Sequence, residues 1–351
     1  MIFASDNWAG ASEPVMAAIA AVAKTGAPAY GGDPLTKQVE RRFSEIFERD
    51  VVVFFVATGT AANALALSAY ARPGGFVFCH RHAHVIADEP GSTEFFGGLR
   101  LLGLDGGEGR IAPETFATAL AGLGEANPHF GAPVGVTLTQ LTELGTAYRP
   151  AAVAAIAAVA KAHGLVVHMD GARFAGAAAA LGASPADLTW RSGVDVMSFG
   201  GTKNGCLSAE AVVFFNPAEA RNFAIARQRA GHTFSKSWFV AAQFAAYFEG
   251  GHWLDLARQA NAMGQRLAAA LRKAPGVRLA VQPDANEVFA ILPKGLDERL
   301  RAAGAVYHPW SVDSLPVEQR PAAGEVFVRL VTSFQTSRED VDRFAGLVQG
   351  A

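Results

Sequence analysis

A lysine inside a glycine-rich turn is the first residue here whose surroundings suggest chemistry. Lys203 stands in Gly200-Gly201-Thr202-Lys203-Asn204-Gly205, directly after the apolar run 194–199. A structural lysine normally lies on a solvated face. One placed here is a partly desolvated amine, able to attack a carbonyl and form a Schiff base. The order G-x-x-x-x-G-K-[ST] is absent, so the turn is not a P-loop. A second apolar run, 165–169, ends in Asp170-Gly171-Ala172-Arg173, whose carboxylate and guanidinium could also form an ordinary ion pair. A third, 51–56, runs into Ala57-Thr58-Gly59-Thr60-Ala61-Ala62-Asn63 at the start of a helix. Free N–H groups and the hydroxyls of Thr58 and Thr60 would make an anion cradle there, although a threonine in such a turn often only caps its helix. Taken together the three point to one cofactor, pyridoxal 5'-phosphate (PLP). It requires a lysine for the imine, an acid to keep the pyridine nitrogen protonated, and a phosphate cup. Lys203, Asp170 and the Thr58-Gly59-Thr60 turn supply all three.

These residues need a common scaffold. Short β-rich apolar runs at 51–56, 76–79, 99–104, 134–139, 165–169, 194–199 and 211–215 alternate with alanine-rich helical stretches. The helical stretches are 13–24, 36–48, 60–70, 113–120, 151–163 and 218–229. Continuous apolar strands separated by helices predict an α/β fold with a mainly parallel seven-stranded sheet covered on both faces. In such a sheet ligands bind beyond the carboxyl ends of the strands, which is where the three motifs fall. After about residue 250 the pattern changes. A long helix, 253–274, precedes strands near 277–281, 288–292 and 326–330 and helices at 297–303 and 338–349. The expected organisation is a large domain over 1–250, with an N-terminal arm over 1–13, and a smaller α+β domain over 251–351. Residues 122–133, rich in Gly, Asn and Pro, read as a surface loop.

Composition excludes several classes. The chain has 351 residues, half of them hydrophobic, and a net charge of −2 without a basic cluster, so no nucleic-acid or anionic-membrane surface is expected. Cys79 and Cys206 are too few for a disulfide framework and fit a reducing compartment. The start lacks a basic n-region, and Asp6 falls where an apolar signal core would run. The charge-free stretch 51–71 is broken by Thr58-Gly59-Thr60 and reads as strand, turn and helix, not a membrane span. The expected location is cytoplasmic. His80, His82 and His84 alternate and on a strand would share one face, a spacing that can chelate zinc or copper. No fourth ligand is near, and no metal is assigned. His168 shares a strand face with Asp170 and reads as a hydrogen-bonding partner of the site, and Cys206 as a small core filler.

The runs Asp170-Gly171-Ala172-Arg173, Phe199-Gly200-Gly201-Thr202-Lys203-Asn204-Gly205, Thr58-Gly59-Thr60-Ala61-Ala62-Asn63 and Tyr30-Gly31-Gly32-Asp33-Pro34 together resemble the low-specificity L-threonine aldolases. These are fold-type I, aspartate-aminotransferase-like PLP enzymes that split β-hydroxy-α-amino acids into glycine and an aldehyde. The resemblance runs from Ser5 to about Val331. It implies that Lys203 is the imine lysine, Asp170 the pyridinium partner, and Arg173 a neighbour of the ring hydroxyl and the substrate carboxylate. Ser5 and Arg329 match residues that hold the α-carboxylate, a task suited to a guanidinium fork. His84 matches the histidine stacked on the cofactor ring, and Gly59 and Thr60 the phosphate-binding backbone.

Two positions depart from the family pattern. Where many members carry a second active-site histidine, this chain reads Leu141-Thr142-Glu143-Leu144-Gly145, so Glu143 takes that place as a base or a water holder. The stretch that reaches a neighbouring subunit's phosphate reads Ala230-Gly231-His232-Thr233-Phe234-Ser235-Lys236, where Lys236 is the substitute. The implied substrates are L-threonine, L-allo-threonine and relatives such as phenylserine. Cleavage at Cα–Cβ would be assisted by His84 or Glu143 as base, directly or through water. The same apparatus serves β-eliminating lyases and aminotransferases, and a catalytically silent PLP-binding protein is a third alternative. By resemblance Tyr30, Asp33 and Lys236 come from a neighbouring subunit, which implies a homodimer at least and a tetramer by likeness.

Overall fold

Buried β-branched and aromatic runs make the strands, and alanine-rich segments cover them. In the computed structural model, which describes residues 1–123 and 129–350, seven strands form one sheet. They are β1 (Val52–Val56), β2 (Gly75–His80), β3 (Arg100–Leu104), β4 (Ala132–Thr139), β5 (Val166–Gly171), β6 (Val196–Gly200) and β7 (Glu210–Phe214). Their order is β1-β7-β6-β5-β4-β2-β3. Only β7 runs antiparallel to its neighbours, so the other six strands share one direction. The carboxyl ends of β1, β5 and β6 therefore lie along one edge of the sheet. Every residue of β6 is buried, as expected of a strand covered on both faces.

A second sheet of four strands follows: β8 (Arg278–Leu279), β9 (Glu287–Pro293), β10 (His308–Pro309) and β11 (Glu325–Val331), in the order β10-β11-β9-β8. Its own apolar core includes Leu267, Leu271, Val328 and Phe344. The N-terminal segment joins this core, not that of the large sheet. Phe3 is buried in it, the Phe3 N–H donates to the Val306 carbonyl at 2.7 Å, and the Val331 N–H donates to the Phe3 carbonyl at 2.8 Å. That threading carries Ser5 and Asp6 to the edge where the large sheet ends.

The observed elements depart from the sequence expectation in instructive places. Helices Phe174–Leu181 and Trp238–Phe248 were not anticipated. Both are apolar nearly all round and largely buried, so they lack the polar stripe that marks a helix in sequence. The helix expected over 218–229 is instead a short turn, Pro217–Ala220, and a separate helix, Phe223–Arg229, because Asn222 leaves helical geometry between them. The strand expected near 277–281 shortens to Arg278–Leu279. The loop expected over 122–133 includes residues 124–128, which lie outside the described residues, and its end, Ala132–Pro133, already belongs to β4.

Phenylalanines underpin the β6 end. Phe43 meets Phe248 edge-on at 4.9 Å and Phe199 at 5.3 Å, and Phe199 immediately precedes the glycine turn. Truncating Phe199 to alanine should destabilise the protein by about 3–5 kcal/mol, read as a lower urea midpoint, because the surrounding rings cannot collapse into the void. A change under 1 kcal/mol would show that the cluster repacks.

Candidate active site

Two strand ends approach so closely that only glycine fits. A Cβ on Gly171 would lie 2.6 Å from the Ser198 carbonyl oxygen, and one on Gly200 would lie 2.6 Å from the Ala172 carbonyl oxygen. This seats Asp170 and Lys203 on adjacent strand tips. Lys203 lies in a three-residue turn, Thr202–Asn204, braced at both sides. The Asn204 side-chain amide donates to the Tyr247 hydroxyl at 2.7 Å and to the Trp253 carbonyl at 2.8 Å, and the Thr202 hydroxyl accepts from the Ala209 N–H at 3.2 Å.

Lys203 opens into a cavity of about 310 Å³, whose walls also carry Ser5, Gly59, Thr60, His84, Glu143, Asp170, Arg173 and Arg329. Nine of the twelve residues expected at the site thus line one cavity. Thr58, Tyr30 and Lys236 do not. The Thr58 hydroxyl accepts from the Ala61 N–H at 3.1 Å, so it caps the helix Gly59–Ser68. Tyr30 and Lys236 are exposed, and Tyr30 lines a different cavity beside edge strand β1, because its segment pairs with 235 through the Tyr30 N–H and the Ser235 carbonyl at 3.1 Å. Asp33 is buried as a helix cap, accepting from the Thr36 N–H and hydroxyl, both at 2.7 Å.

Asp170 is buried, with one oxygen accepting from the Ala172 N–H at 3.0 Å and the other from the Asn63 amide at 2.9 Å. The same Asn63 nitrogen donates to Glu89 at 2.8 Å, and Glu89 pairs with His84 Nδ1 at 2.7 Å. The three histidines do not share a strand face. β2 ends at His80, and His84 opens the next short helix after a turn. Among the described residues no cluster of His, Cys, Asp and Glu could hold a metal. His168 is fully buried, with Nδ1 on the Thr137 hydroxyl at 2.7 Å and Nε2 on the Ser198 hydroxyl at 3.1 Å; burial pushes it down to about 4, so it is neutral. Cys206 is buried in the large-sheet core.

Arg173 is clamped. It donates to both oxygens of Asp6, at 2.7 and 2.9 Å, and lies 3.4 Å from Glu287. Burial alone would raise Asp6, but the guanidinium holds its carboxyl below the usual range. Arg329 stacks on Trp310 at 4.2 Å, and burial lowers its pKa from the ordinary guanidinium value. Its Nε is buried without a partner. Glu143 accepts the His84 backbone N–H on one oxygen at 2.6 Å, and its other oxygen is buried and unpaired. Burial, opposed mainly by that hydrogen bond, pushes Glu143 up to about 7.

Asn63 was legible as part of its motif but had no role, and Asp6, Glu89, Glu287 and Trp310 were missed. Glu89 follows His84 by five residues, a spacing that matches neither helix nor strand periodicity. The hydrogen bond that His84 Nδ1–H donates to the Glu89 carboxylate raises His84 above the ordinary imidazole value. Glu89→Gln should therefore return the His84 ring titration toward about 6.5, followed by NMR. The charged pair stabilises the fold below the ordinary histidine range and is lost as pH rises through the raised value. The variant should thus be weakened more at about pH 5.5 than at about pH 9. An unshifted His84 titration would separate Glu89 from this role.

The sequence pattern of the family described as "Beta-eliminating lyase" matches residues 3–294. The chain belongs to that family. Within it, the chain is 40% identical over 353 residues to a low specificity L-threonine aldolase of Pseudomonas aeruginosa, covering 99% of this chain and 98% of that relative. A second low specificity L-threonine aldolase, from another Pseudomonas strain, is 41% identical over 303 residues, covering 86% and 87%. The solved structure of Leishmania major threonine aldolase superposes with a TM-score of 0.91 at 26% identity, covering 99% of this chain and 98% of that one. The sheet order and these likenesses make the fold that of the fold-type I PLP enzymes.

The residues of this family member fit the PLP that its sequence implies. Lys203 supplies an amine, Asp170 a buried carboxylate held by two donors, and Gly59 the open N-terminus of a ten-residue helix. A Cβ on Gly59 would meet nothing within 4 Å, which leaves room for a phosphate against the backbone. Among the described residues no helix is long and apolar enough to cross a membrane.

Proposed function

We propose that this chain cleaves L-threonine, L-allo-threonine and related β-hydroxy-α-amino acids to glycine and an aldehyde. The observation that carries this reading is the convergence of Lys203, Asp170, Arg173, Arg329 and Glu143 on one cavity. When bound, PLP supplies the sink for the electron pair left at Cα as Cα–Cβ breaks. Lys203 would hold the cofactor covalently, and Asp170 would keep the proton on its ring nitrogen. Gly59 and Thr60 would bind the phosphate, and His84 would lie beside the ring.

Ser5, Arg173 and Arg329 take the substrate α-carboxylate. Arg173 is pre-set for this by Asp6, so little side-chain freedom is lost on binding. Anchoring the carboxylate fixes how Cα is presented and so which of its bonds is placed to break. Glu143 removes the β-hydroxyl proton as the carbonyl of the departing aldehyde forms. Its unpaired oxygen and its value of about 7 suit a base that is half ionised near neutrality. A proton returned to Cα completes glycine.

Oligomerisation belongs to the same proposal. Tyr30 and Lys236 are exposed away from their own chain's cavity, which supports a dimer, and by likeness a tetramer, in which they serve a neighbour's site. The separate cores of the two sheets support a large domain over 1–250 and a small one over 251–351, except that Phe3 joins the small core and Trp253 and Ala257 the large one. Two free, buried cysteines support a cytoplasmic location. The deciding test is product analysis. Threonine and allo-threonine should give glycine and acetaldehyde in equal amounts, and phenylserine glycine and benzaldehyde. A keto acid with ammonia would point to β-elimination and overturn the aldolase reading.

A further inference from the structure

The site cavity has a neighbour. A second chamber, of about 250 Å³, shares the walls Asp88, Glu143 and Trp310 with it. It extends behind Glu143 toward His80, His82, Ala87 and Ser314. The nitrogens of His80 are already committed. Nε2 lies 3.2 Å from the Gly106 carbonyl, and Nδ1 accepts the His82 N–H at 3.2 Å. Burial also lowers His80, which keeps the ring neutral. Much of the chamber wall is therefore made of the rings of His80, His82 and Trp310 and of Ala87, Gly109 and Leu144. Its carboxylates, Asp88 and Glu143, stand at the shared end, where one buried Glu143 oxygen has no partner in the protein, and Ser311 and Ser314 add hydroxyls elsewhere on the wall.

We propose that this chamber is the subsite for the β-substituent of the substrate, and that it takes a planar aromatic group. The assignment rests on the aldolase reading above. With the α-carboxylate on Arg173 and Arg329 and the β-hydroxyl on Glu143, the substituent on Cβ is directed past Glu143, where the chamber begins. A methyl group cannot fill about 250 Å³, a space for several waters at about 30 Å³ each. A phenyl ring can displace that water and pack against Trp310 and the two imidazoles. Tolerance of large aldehydes is then a property of an annex beside the catalytic groups and needs no change in them.

Two variants at separate wall positions reduce the chamber, Ala87→Leu and Ser314→Phe. In each, the ratio of kcat/KM for phenylserine to kcat/KM for threonine should fall about tenfold or more, since a blocked apolar pocket discriminates on that scale. A second measurement does not depend on turnover. Benzyl alcohol should change the tryptophan fluorescence of the wild-type holoenzyme saturably, and the response should disappear in Trp310→Phe and weaken about fivefold or more in Ser314→Phe. Ratios within about twofold of wild type in both variants, with unaltered circular dichroism, would overturn the assignment. So would a fluorescence response that survives in Trp310→Phe and Ser314→Phe. A wild-type protein that releases no glycine from threonine would instead end the aldolase reading, and the benzyl alcohol titration would still report on the chamber.

Discussion

Replacing Lys203 with alanine should lower glycine release from threonine by at least about a thousandfold, because it removes the covalent nucleophile and its proton traffic together. The loss should be specific to chemistry. Position 203 lies in a turn whose bracing comes from Asn204, Thr202 and the glycines, so the variant should keep its fold and unfolding midpoint. After borohydride reduction and tryptic digestion, the wild-type peptide carrying position 203 should bear a pyridoxyl group, and the variant none. Turnover in Lys203→Ala near the wild-type rate would end the proposal, as would a pyridoxyl group on another lysine.

Glu143→Gln carries the second-largest expected effect, a loss of about a hundredfold to ten-thousandfold in kcat/KM for threonine. The base must be ionised to accept the hydroxyl proton, so wild-type kcat/KM should rise as pH increases through about 7. The variant should lose that rising limb. Stability moves in the opposite direction. Glu143 titrates higher in the folded than in the unfolded chain, so its stabilising contribution is complete below the ordinary carboxylate range and is lost as pH rises through about 7. Glutamine has no charge to desolvate, and the variant should resist urea better than wild type above neutrality. Retention of the limb in Glu143→Gln with its loss in His84→Asn would transfer the role of base to His84.

How much of this site can be read from the chain depends on the residue. Lys203 and Asp170 are legible because each follows an apolar run, and parallel strands bring their carboxyl ends to one edge whatever the details of packing. Arg173 is legible too, three residues after Asp170, but its holder is not. Asp6 is 167 residues away, and only the N-terminal segment's passage beside β11 brings it to the guanidinium. The alternation of His80, His82 and His84 invited a shared face, yet β2 stops at His80, so His84 reaches Glu89 instead. Thr58 carries the opposite lesson. It stands in the turn that opens the helix, and its hydroxyl serves as a helix cap.

The amino-acid sequence alone therefore determined the type of chemistry and the class of scaffold. Those follow from residue types at strand ends and from hydrophobic periodicity, both local along the chain. Tertiary structure alone decided which proton each acid can hold and where a large substituent can go. Burial of Glu143, the Asp6 clamp on Arg173, the Asn63–Glu89–His84 chain and the chamber beside Trp310 each depend on groups from separate segments. Desolvation and charge pairing act through space, and no pattern along the chain records which distant residue will stand alongside.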